Sequence, residues 1–152
     1  MGALMNNGIR IVKTSDPNII EHILPFMEKL INKNHENYKL ETFTKWLRTA
    51  ISNPLVNVWI AVKKGNKFYA DDSGISGYLI STMTADIEIE FMNIVQLYSN
   101  NKKVTKDLLA ASESYAKRHG IKLSAGISKR NPKAWEKEYG YKLKSYNLIK
   151  EL

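Results

Sequence analysis

The sequence predicts a three-layer α/β (α+β) domain, a mixed central sheet of about six strands with helices on both faces. Three observations predict it. Blocks rich in Ile, Val, Tyr and Trp, suited to strands, sit between blocks whose apolar residues recur at helical spacing. The blocks follow the order β-α-α-β-β-β-α-β-α-β. Their edges carry punctuation: Asp16-Pro17, Asn53-Pro54, Lys64-Gly65-Asn66, Gly120, Asn131-Pro132 and Gly140.

Ile9–Lys13 alternates around Ile9 and Ile11 and reads as a short strand. Asp16-Pro17 starts a helix, with Asp as N-cap and Pro in the first helical position. Ile19, Ile20, Ile23, Leu24, Met27, Leu30 and Ile31 form its apolar side, and Pro25 inside that pattern predicts a kink or restart. Leu40–Ser52 is a second helix, with Leu40, Phe43, Trp46, Leu47, Ala50 and Ile51 on one side; Asn53-Pro54 ends it. Val56–Lys63 and Ile75–Thr82 read as strands, and Ile87–Tyr98 as a long apolar central strand. Val104–His119 is a helix with Val104, Leu108, Ala111 and Tyr115 inward, closed at Gly120. Ile121–Ile127 is a strand, Asn131-Pro132 opens a helix that stops at Gly140, and Tyr141–Ile149 is the last strand.

At 152 residues the chain reads as a single domain over 1–152. Met1–Asn7 is expected to be a frayed tail. No apolar run approaches a membrane span, which needs roughly 18 residues. Met1–Asn7 also lacks the features of a signal peptide. The chain has no cysteine, which excludes disulfides, thiolate metal sites and Cys nucleophiles and fits a cytoplasmic location. His22, His35 and His119 have no metal-like spacing, and no P-loop or dinucleotide fingerprint is present. The charge is lopsided: residues 101–152 hold thirteen Lys and Arg against five Asp and Glu, while residues 1–100 are balanced. The C-terminal part is therefore expected to meet an anion.

The stretch Glu88–Leu152 resembles the GNAT superfamily of N-acyltransferases. It has a long fourth strand, a loop at Ser99–Lys103, a long helix and a fifth strand. An Asn-x-x-Ala helix start follows at Asn131-Pro132-Lys133-Ala134, and Gly140-Tyr141 stands at the Gly-Phe place. The first half matches in element order. The resemblance implies acetyl-CoA as acyl donor, with its pyrophosphate on Asn101, Lys102, Lys103, Val104, Thr105 and Lys106. It implies that the pantetheine arm pairs with the strand edge at Val95 and Leu97, and that Asn131 and Lys133 add cofactor contacts. The family's loop glycines are replaced, at Asn100–Thr105, by Lys103 and Thr105, so charge from Lys102, Lys103 and Lys106 would replace close backbone approach. Trp135 falls nearest the place where the family often has its acidic tyrosine, which makes Tyr139 the candidate acid.

Acyl transfer to an amine needs a base, and Glu88 and Glu90, two apart, share one face of a strand. Partly buried like charges would raise one pKa toward neutrality, with Glu90 the first choice and Glu88 the second. Backbone N–H groups around Asn93–Leu97 would hold the carbonyl, as the resemblance implies. Trp46, Trp59 and Tyr78 are candidate acceptor contacts, and Asp86, Glu88 and Glu90 suit a cationic amine. The expected function is N-acetyl transfer from acetyl-CoA to an unnamed amine through a direct ternary complex. The alternatives are a GNAT-fold protein that has lost catalysis and binds a protein partner and, less favoured, a nucleic-acid binder using the basic C-terminal part. A homodimer through Tyr141–Leu152 stays open.

Overall fold

The computed structural model describes residues 5–6, 8–34, 39–63, 74–85, 90–126, 132–142 and 150. Six strands form one sheet in chain order: β1 (Met5–Asn6), β2 (Ile9–Thr14), β3 (Val56–Lys63), β4 (Ile75–Ala85), β5 (Glu90–Ser99) and β6 (Leu123–Gly126). Neighbours are antiparallel up to β5, and β5 pairs with β6 in parallel. The helices are α1 (Ile19–Asn34), α2 (Leu40–Ala50), α3 (Lys102–Arg118) and α4 (Pro132–Tyr139).

The sheet is buried on both faces, so its central strands are apolar throughout rather than alternating. Every residue of β3 from Asn57 to Val62 is buried. On one face Ile19, Ile20, Ile23 and Met27 of α1 and Phe43 and Leu47 of α2 pack on Val58, Ile60, Tyr78 and Ile80. On the other, Val104, Leu108 and Leu109 of α3 pack on Ile11, Trp59, Ala61 and Leu79, and Trp135, Tyr139 and Tyr141 extend that layer.

The sixth strand of the described sheet is β1, and of the expected last strand, Tyr141–Ile149, residues 143–149 lie outside the described residues. Three expectations need correction. Met5 and Asn6, expected in a frayed tail, instead pair with Arg10 and Ile9 beside Gly8, whose φ of +77° suits the tight reversal. Helix α1 runs through Pro25 as one element. Proline removes one backbone bond there, but the buried residues on both sides of it face the same sheet, and packing holds the helix. Helix α3 starts at Lys102, earlier than Val104, because Asn101 is its N-cap.

Candidate functional site

The site begins with a break in the sheet. Ile80 pairs with Gln96, but the next residue, Ser81, pairs with Ile94, so Val95 is an extra residue in β5. Such a bulge kinks a strand and sharpens its twist. On its other side, among the described residues, β5 pairs with β6 from Phe91 to Ile94. Among the described residues, the β5 backbone from Val95 to Ser99 therefore pairs with β4 alone. Val95 and Leu97 turn their side chains into the two core layers, Val95 toward α1 and α2 and Leu97 toward α3. Their backbone edge is what the site can use.

Two contacts fix this strand end. Gly77 faces Ser99, and a Cβ on Gly77 would lie 2.5 Å from the Tyr98 carbonyl oxygen, so only glycine lets the strands approach this closely. Tyr78, fully buried, donates to Gln96 Oε1 at 2.8 Å, and its ring stacks with Tyr98.

The chain then turns into α3. Ser99 Oγ donates to the Asn101 carbonyl at 2.7 Å and lies 2.5 Å from Thr105 Oγ1. Asn101 Oδ1 accepts from Val104 N–H at 2.9 Å, a standard N-cap. Thr105 N–H reaches the Asn101 carbonyl at 3.2 Å. The N–H groups of Lys102 and Lys103, in the first helical turn, lie at the positive end of the helix dipole. The expected set Asn101–Lys106 is thus brought together, with amended roles: Asn101 and Thr105 hold the turn, while Lys102, Lys103 and Lys106 are exposed. The first turn of α3 contains no acid. Its acid comes from α4, where Glu138 lies 3.9 Å from Lys102 Nζ and 3.8 Å from Lys106 Nζ. Nothing in the sequence spacing links those residues.

Glu90 is the first residue of β5, paired with Ala85, and shares its face with Met92 and Ile94. It is exposed, not partly buried as expected. At about 3.3 Å per residue its Cα stands roughly 16 Å from that of Val95 along the strand. Glu88 and Asn131 lie outside the described residues, as do Asp86 and the strand expected after Tyr141. Lys133 is exposed in the first turn of α4. Tyr139 is half-buried, edge-on to Trp135 at 5.2 Å. Two acceptor contacts are corrected: Trp59 is buried under α3 and Tyr78 under α1, whereas Trp46 is 40% exposed on α2.

A second polar group was not foreseen. Tyr141 Oη lies 2.6 Å from Ser124 Oγ and donates to Glu113 Oε1 at 3.4 Å. Burial pushes the Tyr141 hydroxyl up to about 12, with the Glu113 charge adding to it and the Ser124 bond opposing it. Burial also raises Glu113, against the lowering effect of the Tyr141 bond. Glu113 and Ser124 line an open cavity of about 560 Å³, together with Met92, Lys117 and Leu123. It lies toward the far end of α3 from Lys102. Among the described residues no group of three His, Cys, Asp or Glu could hold a metal, and no helix is long and apolar enough to cross a membrane.

This architecture, an antiparallel sheet passing into a parallel pair at a bulged strand, is the fold of GNAT-type acetyltransferases. A predicted acetyltransferase from Clostridium acetobutylicum, solved with acetyl-CoA, superposes with a TM-score of 0.73 at 13% identity, covering 94% of this chain and 96% of that one. The aminoglycoside N-acetyltransferase AAC(6')-Iy in complex with CoA gives 0.71 at 11% identity, covering 100% and 97%. An aminoglycoside acetyltransferase from an uncultured soil metagenomic sample, in complex with sisomicin, gives 0.68 at 14% identity, covering 96% and 97%. By sequence the chain matches no family model and no curated protein.

Proposed function

We propose that this protein is an acetyl-CoA-dependent N-acetyltransferase that passes an acetyl group directly to an amine within a ternary complex. The bulge at Val95, beyond which β5 pairs with β4 alone among the described residues, carries the reading. It leaves a strand edge of N–H and C=O groups suited to an amide-bearing arm, leading to the first N–H groups of α3 and three lysines suited to phosphates. The residues present therefore fit acetyl-CoA, which would supply an activated thioester carbonyl. The structural neighbours solved with CoA or acetyl-CoA support the same reading.

The chain's own residues would bind, orient and move protons. Backbone N–H groups beyond the bulge polarise a carbonyl held against them, and they do so without reorganising. Glu90, with Glu88 as the second choice, takes the proton that the attacking amine loses. Its distance along the strand means that water relays this proton. As the amine nitrogen bonds to the carbonyl carbon and the carbon–sulfur bond breaks, Tyr139 gives a proton to the sulfur. Lys133, in the first turn of α4, and Asn131 add contacts to the donor. The acceptor is an amine, a class supported by the aminoglycoside acetyltransferases among the neighbours. Trp46 is the exposed aromatic available to it on α2.

Thiol release from acetyl-CoA in the presence of a panel of amines tests the reading. Release should require an amine, and Glu90→Gln should bind CoA as the parent does while turnover falls at least about a hundredfold. Unchanged turnover removes Glu90 from the mechanism. One observation favours a non-catalytic, partner-binding GNAT fold as the second reading: Lys103 and Thr105 stand where the resemblance has glycines. That reading expects no thiol release with any amine and a stable protein partner in pull-down.

A further inference from the structure

We propose that Glu138 is a built-in competitor for the anion site at the start of α3, a carboxylate latch that an incoming diphosphate must displace. The inference rests on the reading of that site as the place of the donor's phosphates.

Two observations carry it. The first is geometric. Lys102 and Lys106 are four apart and share one face of α3. Glu138 presents one oxygen to each, Oε1 at 3.9 Å from Lys102 Nζ and Oε2 at 3.8 Å from Lys106 Nζ. Its side chain is 28% exposed, against 79% and 56% for the lysines, so it is the more fixed member of the trio. The second is electrostatic. Helix N-termini favour negative charge, yet the first turn of α3 holds lysines and no acid. Glu138 supplies negative charge from another helix, on the same two ammonium groups that a bound anion would use.

The consequence is selectivity by charge. A single carboxylate only partly neutralises the lysines, and Lys103 keeps the site cationic. A diphosphate brings more negative charge and can displace Glu138, while a monoanion gains little over the carboxylate already there. Removing the charge of Glu138 should tighten diphosphate binding. An exposed ion pair is lost cheaply, and one negative charge a few ångströms from phosphates near the surface repels them moderately, so the expected gain is about five- to tenfold.

The test is calorimetric titration of the full chain and its Glu138→Gln, Lys102→Ala/Lys106→Ala and combined variants, with CoA and separately with inorganic pyrophosphate. Glu138→Ala repeats the test with a side chain that cannot bond to either amine. Melting temperatures taken alongside confirm that each variant is folded. The latch predicts a gain of about five- to tenfold for both ligands in Glu138→Gln, shrinking to less than about twofold when the lysines are absent. A full gain without the lysines means simple repulsion and overturns the latch. CoA binding that is equal in the parent and Glu138→Gln overturns the latch and leaves the acetyl-CoA reading standing. A pyrophosphate gain with no CoA binding supports the latch and overturns that reading. No binding of either ligand by any variant overturns both.

Discussion

Gly77→Ala should destabilise the protein at the strand end that leads into the phosphate loop. The added Cβ would sit 2.5 Å from the Tyr98 carbonyl oxygen, 3.0 Å from Ser99 Cα and 3.1 Å from Ser99 Cβ. Two of these are backbone atoms, so no side chain can swing aside, and β4 and β5 must separate by several tenths of an ångström. Overpacking of this kind costs about 1–3 kcal/mol. Alanine offsets roughly 0.5–1 kcal/mol of that by restricting the unfolded chain. A net loss of about 1.5 kcal/mol corresponds to roughly 3–6 °C in Tm for a chain of this size. Gly126→Ala in β6 is the matched control: its nearest contact would be Ile94 Cβ at 3.5 Å, an ordinary separation, and Tm should stay within about 2 °C. Thermal unfolding followed by circular dichroism measures both. Equal melting temperatures for the two variants would refute the claim that the Gly77 approach is sterically required.

Further predictions concern the turn and the second polar group. Asn101→Ala removes the cap on Val104 N–H and should cost about 1 kcal/mol, or roughly 2–4 °C in the same melt, while Asn101→Ser should recover most of it. Burial raises the folded-state pKa of Glu113 above 4.5, so the native state keeps a proton that the unfolded chain loses, and stability falls as pH rises through that range. Glu113→Gln should therefore melt higher than the parent at pH 7, with the difference vanishing below about pH 4. The same sign holds for Tyr141: its hydroxyl rises from 10.0 to about 12, so stability should decline from pH 10 toward pH 12, and Tyr141→Phe should flatten that decline.

Much of the fold was legible because its signals are local. The stop at Gly140 marks a real helix edge, Asp16-Pro17 stands just ahead of α1, which begins at Ile19, and Val56–Lys63 is a strand over the residues expected. What depends on pairing was not legible. Ile94, Val95 and Gln96 are ordinary strand residues with no glycine or proline among them, and the bulge appears only once β4 is aligned with β5. Side-chain direction failed for the same reason: β3 is apolar on both faces, so no alternation showed that Trp59 faces α3 and not an acceptor. The lysines at the start of α3 were visible as charge, but their partner Glu138 reaches them only through the packing of α4. Asn101 was placed in the cofactor loop by resemblance, and its capping bond emerged from the geometry of the turn.

The central claim is that the break in the sheet at Val95 and the lysine-bearing start of α3 form an acetyl-CoA site. Calorimetric titration of the purified protein with acetyl-CoA, repeated on the Lys102→Ala/Lys103→Ala/Lys106→Ala variant, tests it most directly. The account predicts one-to-one binding in the micromolar range for the parent and its loss in the variant. No heat at millimolar acetyl-CoA, or binding that ignores the three lysines, would contradict it.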